Sequence, residues 1–174
     1  IALASLLTER DQQEAALAEI ETSLKTPKLS DSDRRRLLII GADASGQLGN
    51  YEQALTYYDQ LLKIKSLPIS TRNRASFQRG QILDTRLGRK AEALEAYLEV
   101  VNRDFDTGKT SSMEWKWFDK CGLEGALALL EREKRWRAAI SLAEKLGQSG
   151  SPRAEDAREI AERIGLEQFI YRGR

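Results

Sequence analysis

Residues 48–62, LGNYEQALTYYDQLL, are echoed by residues 87–101, LGRKAEALEAYLEVV. Both stretches write Leu-Gly, skip four residues, write Ala-Leu and place a Tyr three residues on. With Ala54 and Ala93 as anchors, two more segments fall into the same frame, DQQEAALAEIETSL around Ala16 and KRWRAAISLAEKL around Ala139. Each anchor is followed at +1 by Leu17, Leu55, Leu94 or Ile140, and at +4 by Ile20, Tyr58, Tyr97 or Ala143. Leu24, Leu61 with Leu62, Val100 with Val101, and Leu146 come at +7 or +8. Spacings of 1, 4, 7 and 8 trace one stripe of an α-helix and do not fit the period of two of a strand.

The anchor is small in every copy, which lets a neighbouring helix backbone approach more closely than a Leu would. Three residues earlier stand Gln13, Tyr51, Lys90 and Trp136, long or aromatic side chains able to cover the helix entry. Gly49 and Gly88 lie where a tight connection between two helices needs positive φ.

A second helical segment precedes each striped helix. Ser30, three residues before Asp33, is the expected cap of RRRLLIIGADASGQL; Ser70 is the expected cap of TRNRASFQRGQILDTRL. Ser111 and Glu114 form an S-x-x-E capping box ahead of WKWFDKCGLEGALALLERE. Each unit is therefore helix, short turn, helix. The expected units span residues 1–28, 31–67, 70–104 and 111–147, all within one domain of residues 1–174. The first has only LASLL, residues 3–7, for its leading helix, so the chain reads as the later part of a longer array. After Leu146, Gly147 ends a helix, and Ser151 with Pro152 is expected to start a last one over 152–171. Ala157, Ile160, Ala161 and Ile164 on one face, opposite dense charge, suit a helix that seals the open end of a stack.

Composition narrows the chemistry. Lys and Arg number 28 against 27 Asp and Glu, so a net charge of +1 supplies no global field toward nucleic acid or an anionic membrane. The sequence contains no His, which removes the commonest general base and metal ligand and the Ser-His and Cys-His forms of nucleophilic catalysis. Cys121 is the only Cys, so an intrachain disulfide and a thiolate zinc cluster are both excluded, and beside Gly122 it reads as a small packing residue. No apolar run approaches the length of a membrane span. GADASGQLG lacks the Lys and the preceding strand of a phosphate loop, and a carboxylate pair such as Asp43 and Asp84 stands in no apolar setting that the sequence reveals. No enzyme, cofactor or metal is expected.

The pattern resembles the tetratricopeptide repeat, a helix-turn-helix unit of about 34 residues. Gly49, Tyr51, Ala54, Tyr58 and Leu61 fall where that family has Gly, Tyr, Ala, an aromatic and Ala, and Ala42 takes the small position of the first helix. The next unit keeps Gly88, Ala93 and Tyr97. Anchor spacings of 38, 39 and 46 exceed the family period, and the connectors SLPIST and NRDFDTGKTSS absorb the excess. The resemblance implies an all-α fold, a right-handed superhelix (α-solenoid) of antiparallel helix-turn-helix repeats closed by a C-terminal capping helix. It also implies a concave face lined by the leading helices. The phrase SGSPRAEDAREIAERI is similar to inter-repeat segments of longer-period bacterial tetratricopeptide proteins of the cell envelope, which implies the envelope or periplasm ahead of the cytoplasm.

On that concave face the expected binding residues are Arg36, Ile39, Asp43 and Gln47 in one unit and Phe77, Gln78, Gln81 and Thr85 in the next. In the fourth, Trp115 and Phe118 share a face with Gly122 and Gly125 and are expected to be buried, whereas Trp117, with Lys120 and Glu124, is expected on the binding surface. Domains of this family that hold the C-terminal carboxylate of chaperones use Lys and Asn at places occupied here by Ile39, Asp43, Glu124 and Ala128, which disfavours that ligand. The expectation is a non-catalytic scaffold that binds a protein or peptide, with self-association through an exposed repeat end as a further expectation. An alternative from another class is nucleic-acid binding through the basic runs Arg34 to Arg36 and Arg132 to Arg137, both beside acids and both fitting solvated helix ends.

Overall fold

The computed structural model describes residues 10–103 and 109–170, with the side chains of residues 10, 11 and 170 left aside. The leading helix expected over residues 3–7 lies outside the described residues. Helices α1 (Arg10–Leu24), α2 (Asp31–Leu48), α3 (Tyr51–Leu62), α4 (Ile69–Thr85) and α5 (Lys90–Val101) come first. Then α6 (Ser112–Asp119) runs through a π-helical segment, Lys120–Leu127, into α7 (Ala128–Arg132). Helix α8 (Trp136–Gly147) follows, and α9 (Ala154–Gly165) ends in a second π-helical segment, Leu166–Ile170. Among the described residues there is no strand. Each helix packs on the next, α2 on α3, α4 on α5 and α8 on α9 most extensively, as in a tetratricopeptide-like helical repeat solenoid.

The turn inside each pair has one repeated conformation. Gly49 (φ 82°), Gly88 (φ 67°) and Lys134 (φ 55°) occupy the same left-handed position two residues before the second helix. The residues after them, Asn50 (−80°, 62°), Arg89 (−84°, 65°) and Arg135 (−84°, 58°), also share one conformation. The Asn50 N–H donates to the Ser45 carbonyl at 2.8 Å and that of Arg135 to Leu130 at 2.9 Å, closing α2 and α7 in the same way, while the Arg89 N–H reaches one residue further back, to Leu83 at 2.7 Å.

Capping follows the sequence in two places and departs from it in two. Ser30 Oγ accepts from the Asp33 N–H at 3.1 Å. The Ser111–Glu114 box is complete, with bonds of 3.2 and 2.7 Å. Ser70, by contrast, lies inside the first turn of α4, because Pro68 (φ −55°, ψ 140°) already supplies the extended entry and its carbonyl accepts from the Arg72 N–H at 2.9 Å. Ser151 does not cap α9 either. It is buried beside the Asp119 carboxyl, and the helix begins at Ala154, two residues beyond Pro152.

Ala54, Ala93 and Ala139 are fully buried and Ala16 is 2% exposed, so all four anchors sit at helix contacts. The core runs along the stack in two linked clusters, one from Leu17 to Ala75 and one from Leu55 to Ile164, with Ile82 packed against both. Each second helix contributes about four apolar side chains, worth roughly 1.5–3 kcal/mol apiece before chain entropy, so the units depend on their neighbours.

Candidate functional site

Residues 74, 78, 81 and 85 form one stripe of α4, and 43 and 47 form one of α2. Where these stripes face each other the chain leaves a groove of about 660 Å³. Asp43 and Gln47 line one wall, Arg74, Gln78, Gln81 and Thr85 the other, and Tyr58 and Tyr51 of α3 close the floor with Ile82. Five of the residues expected at the concave face are thus brought together: Asp43, Gln47, Gln78, Gln81 and Thr85.

The groove is polar and internally organised. Tyr58 donates its hydroxyl to Asp43 Oδ1 at 3.2 Å, and Arg74 Nη2 stands 3.6 Å from Asp43 Oδ2. Burial, reinforced by the Asp43 carboxylate, pushes the Tyr58 phenol well above its ordinary range, so it stays a proton donor. Gln13 Nε2 donates to Gln47 Oε1 at 2.5 Å, tying the groove wall to α1. The Arg86 guanidinium lies 5.6 Å from the Tyr51 ring centroid at the far end. Gln78 and Gln81, one half-buried and one exposed, each present an amide that both donates and accepts. Arg74, Tyr58, Tyr51 and Arg86 were not among the expected residues. Arg74 was within reach of the sequence, since it is the first member of the 74-78-81-85 stripe; Arg86 lies beyond the end of α4 and only the fold brings it over Tyr51.

Other expected residues lie elsewhere. Arg36 is exposed but does not line the groove, and Ile39 is half-buried against the core cluster of the first units. Phe77 is a correction: it is 4% exposed, with its ring 6.0 Å from Tyr97 and 5.7 Å from Trp117. It shares a stripe with Gly80, three residues on, and that stripe closes on α5 and leaves the groove to Gln78. Trp115 and Phe118 are buried edge to face at 5.3 Å, as expected. Trp117 is half-buried and packed at a tilt against Phe77, with the Lys116 and Lys120 amines 5.8 and 5.9 Å from its ring centroid. Lys120 continues to Glu124 at 3.2 Å and Glu124 to Arg153 at 3.0 Å. Trp117, Lys120 and Glu124 therefore form a second group, on the α4–α6 junction, outside the 660 Å³ groove.

The two basic runs are carried by different units, Arg34 to Arg36 near the start of α2 and Arg132 to Arg137 at the turn between α7 and α8. Arg132 is bonded to Asp84, and Asp43 to Tyr58 and Arg74, so these two carboxylates serve separate ion pairs. Cys121 is fully buried, and burial raises its thiol far above the reactive range. Among the described residues no cluster of acidic or Cys side chains is placed to hold a metal ion, and no helix is long and apolar enough to cross a membrane.

A family model described as tetratricopeptide repeat matches residues 38–66 and 74–107. The first match covers most of α2 with α3, and the second covers most of α4 with α5, in the same helix-turn-helix phase as the Ala54 and Ala93 anchors. No curated protein and no solved structure matches the chain.

Proposed function

The chain belongs to the tetratricopeptide repeat family, whose repeats generally mediate protein–protein interaction, and on that premise we propose a non-catalytic scaffold that binds an extended protein segment in the α2–α4 groove. The observation that carries this reading is the meeting of Gln47, Gln78 and Gln81 in one groove. Amide side chains offer a donor and an acceptor at each position, which suits the alternating N–H and C=O groups of a peptide main chain and demands little of its side chains. Arg74 and Arg86 against the single carboxylate of Asp43 favour a segment with acidic residues near the groove ends. Helix packing presets both walls, so binding requires little ordering of the scaffold.

Site-specific photocrosslinking tests this. A photoreactive residue at Gln81 should capture a protein partner from cell lysate, and the same probe at the exposed Glu95 of α5, outside the groove, should not. The capture should survive high salt, because amide contacts are not screened as ion pairs are. Equal capture from both positions, or capture of nucleic acid alone from Gln81, would remove the groove as the binding surface.

A further inference from the structure

A second surface, separate from the groove, lies at the turn between α7 and α8. Lys134, Arg135, Trp136, Arg137 and Ala138 form a shallow basin of about 390 Å³ with Phe169 of the C-terminal π-helical segment. Two features set it apart from an ordinary solvated turn. Its three cations are exposed and, among the described residues, stand in no ion pair, whereas the acids Glu133, Glu131 and Glu167 are paired with Lys90 and Arg163. Its apolar lining is also uncovered, with Phe169 48% exposed beside the half-buried Trp136.

We infer that this basin docks an acidic peptide segment carrying one large apolar side chain, which seats between Trp136 and Phe169 while neighbouring carboxylates meet Lys134, Arg135 and Arg137. An unpaired positive rim around an aromatic floor is complementary to that chemistry in both parts. A bilayer contact needs aromatic side chains that project, whereas here they line a depression. A nucleic-acid strand needs a track of cations, whereas these three sit on a single turn.

The test is a titration of the nitrogen-labelled full chain with a short peptide of Glu residues flanking a central Phe, following the Trp136 indole resonance, with fluorescence anisotropy for affinity. Saturable binding that moves Trp136 is expected. It should disappear when Gln replaces the Glu residues, and should weaken by about tenfold in Arg137→Glu and in Phe169→Ser. Gln81→Ala in the α2–α4 groove adds no charge and should leave the Trp136 response unchanged, so the basin is read independently of the groove. The inference is overturned if Trp136 does not respond or if Arg137→Glu binds as well as the parent chain. A tighter response to oligothymidine or to phosphatidylserine vesicles than to the peptide would overturn it equally.

Discussion

The Tyr97 ring lies directly on the bare backbone of Gly80, so that a Cβ there would fall 2.4 Å from Tyr97 Cε1. Gly125 of the π-helical segment closes the other contact, with a Cβ 2.6 Å from Cδ1. One ring thereby joins α4, α5 and the fourth leading helix, and at 2% exposure it has nowhere to retreat. Gly80→Ala and Gly125→Ala should each destabilise the chain by about 1–3 kcal/mol through overpacking, read by thermal or urea unfolding. Gly46→Ala, in the preceding leading helix, meets nothing within 4 Å and should instead stabilise by roughly 0.5–1 kcal/mol. The same substitution in adjacent units thus carries opposite signs.

The three equivalent turn positions make a second prediction. Gly49 and Gly88 hold the left-handed conformation without strain, and Lys134 holds it with a Cβ. Lys134→Gly should raise stability by up to about 1 kcal/mol, whereas Gly49→Ala and Gly88→Ala should lower it by about 1 kcal/mol. Midpoints of urea unfolding at unchanged slope would establish both signs.

Much of this architecture was legible in the sequence because it follows from local rules. The anchor Ala stripe, the positive φ of Gly49 and Gly88 and the Ser30 and Ser111 caps each depend on residues within one turn. What was not legible depends on partners far along the chain. Ser151 looks like a cap until the fold buries it beside Asp119, 32 residues earlier in the sequence. Phe77 and Gln78 are neighbours in the sequence, and only the close approach of Gly80 to Tyr97 decides which of them turns into the core. Within the groove the α4 stripe was readable and the Arg74–Asp43 pair was not, since that contact crosses between units.

The anchors themselves are a third test. Ala54 and Ala93 are fully buried where successive helices touch. Ala54→Leu and Ala93→Leu should each cost about 1–3 kcal/mol, and neither should be neutral in a thermal melt. An unchanged midpoint for both would mean that the stripe does not mark the interface between units.

Asp119 gives the chain a predictable pH dependence. Its side chain is buried where α6 meets the entry to α9, and burial raises its carboxyl above the ordinary value, against the lowering effects of the Ser151 hydroxyl and the Arg153 guanidinium and backbone N–H. Asp156, also nearby, adds to the rise. For an acid whose folded pKa lies above its unfolded one, the native state binds the extra proton between the two values. Its contribution is therefore full below the ordinary carboxylate pKa of about 4 and is lost as pH rises through the raised value. Asp119→Asn keeps the carbonyl acceptor and removes the titration, so its stability relative to the parent should increase on going from pH 4 to pH 7. Urea unfolding of the two chains at a series of pH values measures that difference. A gap that stays constant across the range would show that Asp119 is as easily ionised in the folded chain as in the unfolded one.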